Sequence, residues 1–522
     1  MKGLRLMTRT GLVLRVLAGI VFTTMGATPD AFAQGGGQAV GAQALPVPLS
    51  GRGAEGSVTA TDAAVPGATA SVNTLNPVVQ TQGPYSGSVG SVATQPFSGT
   101  LAFRESIQRG LDYNLGSIDV TQSVKQARGQ RTVARSALLP NLMGSLTAAR
   151  EEVNLAAQGL GSVALPIPGF SFPTIVGPFN YVDLRVRLSQ TIVDLTAWNN
   201  YRAASETARA SDLSLEDARD LVVLAVGGTY LQALAAKATI DSAQAQLGTA
   251  NALFQQASER RRVGLVAQLD VNRAHVQVLV QQQRLVSAQN EFAKEKITLA
   301  RLIGLPPTDR YELADTIPFS AAPAMSLEVA LARALATRSD LKAADAQVQA
   351  AERALTAARD ERLPSASVNA DYGVIGSTPS QALGTFSVVG TISIPIWQGG
   401  RTEGHIEMAE AAVAQRRAEA DDLKGQIEGD VRKAYLDLEA AASQVDVATQ
   451  NRDVTAENLE LTRQRLDTGV TDNVEVVQAQ EALAAADLDR INSLFAHNVA
   501  KLSLARALGR AAQNLDDFLK LP

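Results

Sequence analysis

Residues 427–448, IEGDVRKAYLDLEAAASQVDVA, place apolar or small side chains at alternating steps of four and three residues. The positions are Ile427, Val431, Ala434, Leu438, Ala441, Val445 and Ala448, and the spacing resumes at Leu459 and Leu466. A sustained period of about 3.5 residues is typical of the buried seam of a coiled coil. Because no proline occurs from Ile396 to Leu521, we predict one helix from about Glu403 to Asp467, on the order of 100 Å long.

The same pattern occurs 205 residues earlier, where Tyr230-Leu231 corresponds to Tyr435-Leu436 and Gly264 corresponds to Gly469. The shifted seam consists of Val222, Val226, Thr229, Ala233, Ala236, Ile240, Ala243, Leu247, Ala250, Phe254 and Ala257. Constant offsets over many markers indicate an internal duplication. Each copy is predicted to form a long helical hairpin that turns at its glycine.

Nearer the N-terminus the offset is 224, as Leu139-Pro140 and Leu363-Pro364 show. The difference of 19 residues falls in the Pro- and Gly-rich stretch 159–179, which we interpret as a long surface loop. The predicted organisation is a first repeat over 101–310, a linker over 311–325, a second repeat over 326–510 and a C-terminal tail over 511–522.

Four shorter segments alternate apolar and polar residues with a period of two. They are 142–148, 181–190, 366–374 and 385–394. This alternation is typical of transmembrane β-strands, in which Asp183, Arg185 and Arg187 would face a wet lumen. A soluble antiparallel sheet with one solvated face gives the same pattern. The fold class is therefore mainly α with a small β part of four strands per chain.

The N-terminus has the features of a secretory signal peptide over residues 1–33. Four basic residues precede a short apolar run over 16–25, and Ala31-Phe32-Ala33 supplies a cleavage site before Gln34. The run of about 10 residues is too short to span a bilayer. Residues 34–100 are a low-complexity tract with few charges, and we predict a disordered extension there.

Composition excludes several functions. The net charge of -5 indicates no basic face for nucleic acid, and the absence of cysteine excludes disulfides, thiol catalysis and a lipidated N-terminal cysteine. No phosphate-binding glycine loop, catalytic triad or metal-spaced cluster was found, so we predict neither an enzyme nor a cofactor. An exported coiled-coil adhesin or scaffold stays as the alternative, although it would not need period-two segments in both copies.

The duplicated motifs resemble the TolC-like outer-membrane efflux family across residues 103–509. They include the repeated Leu-Pro pair, the sequence IPIWQGGR at 394–401 before the long helix, and the turns RxxVGL at 260–265 and RxxTGV at 465–470. The resemblance implies a homotrimer that shares a 12-stranded outer-membrane β-barrel and a long periplasmic helical tunnel. It also implies a periplasmic adaptor and an inner-membrane transporter as partners, with outer-membrane lipid around the barrel. In the first copy the motif before the long helix is degenerate, since residues 191–195 (TIVDL) lack the proline and the paired glycines.

The resemblance also assigns two sets of site residues. The adaptor would dock at the hairpin tips, Val263, Gly264, Leu265, Thr468, Gly469 and Val470, which are otherwise plain helix-breaking turns. A periplasmic constriction would be lined by Asp270, Glu475 and Gln478. For the two acids the alternative is that each caps its own helix N-terminus, where the helix dipole favours negative charge.

Overall fold

The structure is a computed structural model that describes residues 57–66, 73–90, 97, 99–157, 173–317, 319–321, 325–471, 473–509, 511–513 and 518–519. The proposed signal peptide and most of the 159–179 loop lie outside these ranges. The elements in chain order are β1 (Val58–Pro66), β2 (Asn73–Thr81), β3 (Gly99–Leu101), α1 (Phe103–Tyr113), α2 (Leu115–Ser136), β4 (Asn141–Asn154), β5 (Ile175–Val193), α3 (Leu195–Arg262), α4 (Gln268–Leu302), β6 (Tyr311–Leu313), α5 (Leu327–Thr337), α6 (Ser339–Asp360), β7 (Ser365–Gly376), β8 (Leu383–Ser393), α7 (Arg401–Asp467) and α8 (Asn473–Ala507).

The two long helices, α3 and α7, have 68 and 67 residues. All nine positions of the seam that begins at Ile427 are buried in α7. In α3, seven of the eleven predicted positions are buried, and Ala236, Ile240, Leu247 and Phe254 are half-buried. The side chain of Asp194 begins α3 by accepting a hydrogen bond from the backbone N–H of Ala197 at 2.9 Å, which satisfies one free donor of the first turn. The predicted long coiled-coil helices are confirmed.

The helices form a single layer in which α3 and α7 contribute to both halves. In the half nearer the hairpin turns, α4 packs on α3, α3 on α8, and α8 on α7. In the half nearer the strands, α2 packs on α3, α3 on α6, and α6 on α7. The edges of the layer are therefore α4 and α2 on one side and α7 on the other.

The main hydrophobic core lies around the middle of α3, where Val222, Val226 and Leu231 are fully buried. Among the described helices, α3 alone is long and apolar enough to cross a membrane, but 72% of its most apolar window is buried inside the protein. Burial by the protein's own side chains identifies α3 as a core helix.

The predicted linker 311–325 packs against this core. β6 pairs with β3 in a short parallel ladder, and Asp315 accepts hydrogen bonds from Tyr230 Oη at 2.7 Å and Phe103 N at 2.8 Å. Lys501, fully buried on α8, donates to Ser320 Oγ at 2.7 Å. Burial lowers the pKa of Lys501 to about 8. Burial, with the nearby Lys501 charge, also lowers the pKa of His497 to about 4.

The structure differs from the disordered extension that we predicted over 34–100. Within that tract β1 and β2 form an antiparallel hairpin, with Val58 opposite Thr81, and β2 packs against α3 and α8. Val58 and Tyr85 are buried. The average composition of the tract is poor in large apolar residues, but individual side chains such as Val79 pack against the helical core.

Candidate functional site: a two-faced sheet and two hairpin turns

The four segments with period-two alternation form one antiparallel sheet in the order β4-β5-β7-β8. The predicted four strands are confirmed, and β5, with 19 residues, is longer than the alternation indicated. Residues paired across neighbouring strands share a face of the sheet. Val186 lies opposite Gly144 and Tyr372, whereas Arg185 lies opposite Ser145 and Gly373, so the register separates an apolar face from a polar one.

The apolar face is not covered by the other residues that the structure describes. Its large side chains are 49–78% exposed, and they are Leu142, Leu146, Leu184, Val186, Tyr372, Phe386, Val388 and Ile392. A soluble sheet would pack its apolar face on a core and present its polar face to water. An uncovered apolar face of this extent indicates a surface made for lipid or for another protein.

The polar face carries the three charged residues expected to face a lumen. Arg185 forms ion pairs with Asp183, at 3.1 Å, and with Asp371 of β7, and it donates to Thr385 Oγ1 of β8 at 3.1 Å. Arg187 makes no ion pair among the described residues, and its nearest polar contact is Ser145 Oγ at 3.5 Å. The structure therefore brings Asp183 and Arg185 together, and among the described residues Arg187 contacts Ser145 and forms no ion pair. Sequence alternation could not identify Asp371 and Thr385 as partners, because their proximity depends on strand register.

Both tryptophans of the chain lie where strands give way to long helices, a feature that the sequence interpretation did not use. Trp198 follows β5 and is 47% exposed, and Trp397 follows β8 and is 88% exposed next to Ile396. Amphipathic aromatic rings at this level are typical of the interface between membrane and water.

The two hairpin turns at the opposite end are nearly identical. Each long helix ends in a glycine with positive φ, +81° at Gly264 and +75° at Gly469. Leu265 N donates to Arg260 O at 2.8 Å, and Val470 N donates to Arg465 O at 2.9 Å, which is the hydrogen bond of a Schellman cap. A Cβ added at either glycine would meet no neighbouring atom within 4 Å.

Large apolar side chains at these turns are exposed. Val263, Leu265 and Val470 are 63–74% exposed. The turns are also joined to each other, since Arg260 donates to Asp467 Oδ1 at 2.8 Å and to Leu466 O at 3.1 Å. The six predicted docking residues thus form one surface at the end of the chain's two hairpins.

The predicted constriction residues lie just beyond the turns and have different partners. Asp270 Oδ2 accepts from Ala267 N at 3.3 Å, as a helix cap does. Glu475 lies 3.3 Å from Arg465 across its turn, and its side chain is 49% exposed. Gln478 is exposed one turn further along α8. The capping alternative is thus satisfied for Asp270, and Glu475 has Arg465 as a charge partner. Among the described residues, no group of His, Cys, Asp or Glu is placed to hold a metal ion.

Comparison with known proteins shows which proteins this chain is similar to. A family model described as outer membrane efflux protein matches residues 119–305 and 330–510. The pyoverdine export outer membrane protein OpmQ of Pseudomonas putida is 26% identical over 331 residues, which cover 61% of this chain and 65% of OpmQ. The alkaline protease secretion protein AprF of Pseudomonas aeruginosa is 24% identical, over 70% of this chain and 75% of its own. The outer membrane channel CmeC of Campylobacter jejuni has the same fold, with a TM-score of 0.65 at 17% identity over 78% of this chain and 86% of that one.

Proposed function

The chain belongs to the outer membrane efflux protein family, and we propose that it is the outer-membrane exit duct of a tripartite efflux or type I secretion system. The duct is a passive conduit formed by three copies of the chain. The uncovered apolar face of the sheet contacts outer-membrane lipid, the polar face lines the lumen, and the helices continue the wall into the periplasm. Residues 1–33 act as a cleaved signal peptide that directs export, and the two repeats span 101–310 and 326–510.

One observation carries the proposal: the chain has a matching stripe of exposed apolar residues on each edge helix. On α4 the stripe is Leu279, Val286 and Ile297, and on α7 it is Val454, Val447 and Leu436. Counted from the turn glycines Gly264 and Gly469, the members of both stripes lie 15, 22 and 33 residues away. All are 50–66% exposed. Two antiparallel helices whose apolar residues lie at equal distances from the turns can pack with each apolar residue of one helix opposite an apolar residue of the other.

The internal duplication explains why the stripes on α4 and α7 lie at the same distances from their turn glycines. The offset of 205 relates α3 to α7 and α4 to α8. Within one chain α3 packs on α8, and Leu231 and Leu502 are fully buried there. Their equivalents in the other copy, Leu436 of α7 and Ile297 of α4, are exposed. The missing contact is restored when α7 of one chain packs on α4 of the next.

A contact of this kind is head-to-tail, and its repetition gives a ring when the rotation from one chain to the next closes on itself. The sheet can also be extended from chain to chain, because β4 and β8 each pair on one side only among the described strands. Lipid does not tolerate free strand edges. Two chains would supply eight strands, about the number that side chains fill completely. Three chains supply twelve and leave a lumen.

The test of the proposal is the mass of the protein extracted from outer membranes in a mild detergent. We expect three chains per particle, and we expect single particles reconstituted in planar bilayers to conduct ions. A monodisperse monomer that stays soluble without detergent would contradict the proposal and would favour an exported scaffold.

The hairpin tips are where we propose that a periplasmic adaptor docks and thereby connects the duct to an inner-membrane transporter. Support comes from the exposed apolar side chains at the turns, which the other described residues leave uncovered. The energy for transport then comes from the transporter, since a conduit of this kind requires no catalytic site of its own.

The narrow end of the tunnel is proposed to lie at Asp270, Glu475 and Gln478, with three copies of each. Of these, Glu475 is exposed in the single chain and lies 3.3 Å from Arg465. A ring of carboxylates attracts cations. We therefore expect Glu475→Ala to change single-channel conductance and to weaken block by divalent or trivalent cations.

The companion variant is Asp270→Asn, which tests whether the other proposed acid acts only as a helix cap or also lines the constriction. Asp270 caps α4, so its substitution should lower the melting temperature by a few degrees, the effect of losing about 1 kcal/mol of capping. Planar-bilayer recordings and thermal melts measure both variants. If Glu475→Ala leaves conductance and cation block unchanged, Glu475 does not line the pore.

A further inference from the structure

The exposed apolar stripe of α7 is flanked on one side by acids. Asp446 and Asp453 immediately precede the stripe residues Val447 and Val454, and the same spacing of seven residues continues in both directions. Residues seven apart stay on one side of a helix that packs as a coiled coil. We name the four exposed acids of this series the acidic row, which consists of Glu439, Asp446, Asp453 and Glu460.

The edge helix α4 carries a row of the opposite character. His275, Gln282, Gln289 and Lys296 also recur every seven residues, and we name them the donor row. Each side chain has an N–H group that can donate a hydrogen bond, and none is an acid. Lys296 is half-buried and donates to Tyr311 O, which leaves further N–H groups of its ammonium available, and the other three are exposed.

The two rows meet when α7 of one chain packs on α4 of the next. Reversal of one helix exchanges its two flanks, so equivalent heptad positions lie on the same side of an antiparallel pair. The donor row lies 11, 18, 25 and 32 residues from Gly264, and the acidic row lies 9, 16, 23 and 30 residues from Gly469. The constant difference of two residues is about 3 Å along the axis, which these side chains can span. The resulting contacts pair Lys296 with Glu439, Gln289 with Asp446, Gln282 with Asp453, and His275 with Glu460.

A polar layer between the apolar ones agrees with this pairing. Gln283 of α4 and Gln450 of α7 each lie 19 residues from their turn glycine, and both are exposed in the single chain. A polar pair within a coiled-coil seam favours the partner and the register that allow the two groups to bond. At the equivalent positions of α8 and α3, which pack together within one chain, the residues are Leu488 and Ala245.

The internal duplication also provides a comparison for the two rows. At the positions equivalent to the acidic row, α3 has Leu234, Asp241, Gly248 and Gln255. At the positions equivalent to the donor row, α8 has Gln480, Asp487, Leu494 and Lys501. The complementary rows therefore occur on the two edge helices and not on their counterparts, whose contact is formed within a single chain.

We propose that the acidic row of α7 and the donor row of α4 form the recognition surface by which a chain selects a second copy of itself as its neighbour. This inference rests on the proposed duct. A pair of α7 helices would contain two acidic rows and no donor row, and a pair of α4 helices would contain two donor rows and no acidic row. The pairing of α7 with α4 satisfies both rows. Polar contacts at the rim of an interface chiefly select the partner, since unmatched charges there oppose a wrong one.

A charge exchange at the centre of the rows tests the proposal. Gln282→Glu with Gln289→Glu places acids opposite Asp453 and Asp446, and we expect the yield of trimers to fall by about tenfold or more. Addition of Asp446→Lys and Asp453→Lys to the same chain should restore the yield, because opposite charges then face each other. The mass of the detergent-extracted protein measures both results. Failure of the lysines to restore trimers would overturn the pairing of the rows.

The matched control is Ser287→Glu with Thr298→Glu, which adds the same charge to exposed positions of α4 outside the donor row. By its place in the heptads, Ser287 lies on the opposite flank, next to Gln444 rather than an acid. The control should assemble like the unchanged chain. Equal loss of trimers in the control and in Gln282→Glu with Gln289→Glu would contradict the proposal, and so would normal assembly of both.

Recognition is measured directly by co-expression of the unchanged chain and the chain with all four exchanged residues, each with its own affinity tag. Every mixed ring would contain a boundary at which the new glutamates face Asp446 and Asp453. We therefore expect mixed trimers to be at least about fivefold rarer than random mixing gives. Random mixing would overturn the recognition surface while leaving the duct intact. If the unchanged chain alone forms no trimers, the proposed duct itself is wrong.

Discussion

The double substitution Val454→Asp with Leu461→Asp is expected to convert the trimer into monomers and to abolish export. Both residues lie on the exposed apolar face of α7, at 56% and 49% exposure. In the proposed assembly that face is covered by α4 of the next chain, so each trimer would bury six unpaired carboxylates. Burial of an unpaired charge costs several kcal/mol, which is a large part of the stability of any interface. The mass of the detergent-extracted protein measures the outcome.

A pair of opposite charges at positions that face each other in the proposed contact between α7 and α4 makes this test specific. Val454 and Leu279 lie at equal distance from their turn glycines, whereas Ile297 lies 18 residues further along α4 than Leu279. Val454→Asp and Leu279→Lys should each weaken the trimer, and together they should restore part of it, because the two charges would face each other. Val454→Asp with Ile297→Lys is the mismatched control and should restore nothing. Equal recovery in both pairs would contradict the register.

Gly469→Arg is expected to reduce export to the level of a strain without the duct, while trimers remain. The positive φ of Gly469 imposes a strain of roughly 1–2 kcal/mol on any residue with a Cβ, and no neighbour within 4 Å would be displaced. The fold should therefore survive, and a long cation should stand on the proposed docking surface.

The control is Gly469→Asn, because asparagine tolerates the left-handed conformation and adds little bulk. Export by the asparagine variant should stay near normal. Export of a marker substrate and trimer content on gels are measured for both variants, together with adaptor recovered after crosslinking in cells. If Gly469→Arg exports normally, the tip of the second hairpin is not part of the docking surface. If both variants lose export equally, backbone strain is the cause.

Much of the fold could be predicted from local patterns in the sequence. The seam that begins at Ile427 is buried at every position, because a period of 3.5 residues over so many turns leaves one helix face that must be covered. The four strands could be predicted because a period of two residues places apolar and polar side chains on opposite faces of a sheet. The second stripe on α7, which includes Val447 and Val454, has heptad spacing as well. Sequence alone could not show that it faces outward, because that depends on which neighbours the helix has within its own chain.

Contacts between distant segments could not be predicted. The pairing of Arg185 with Asp371 requires the register of β5 on β7, which a single sequence does not specify. The hairpin of β1 and β2 was missed because composition is an average over residues 34–100, whereas docking depends on individual side chains such as Val79 and Tyr85. The two glycines in the middle of α3, at 227–228, were a usable signal. Their cost in a helix indicated a close approach of another segment.

The exposed stripes and open strand edges also determine how synthesis and assembly are related in time. In the proposed assembly, a chain that has not yet met two others presents an exposed apolar sheet face and strand edges that can still pair, which are the features that promote aggregation. Trimer formation depends steeply on the concentration of free chains. Aggregation of the free chains, which competes with trimer formation, depends on the same concentration. A cell that makes this protein faster therefore does not gain ducts in proportion. The supply of chains has to be matched to the rate at which the outer membrane removes them from solution.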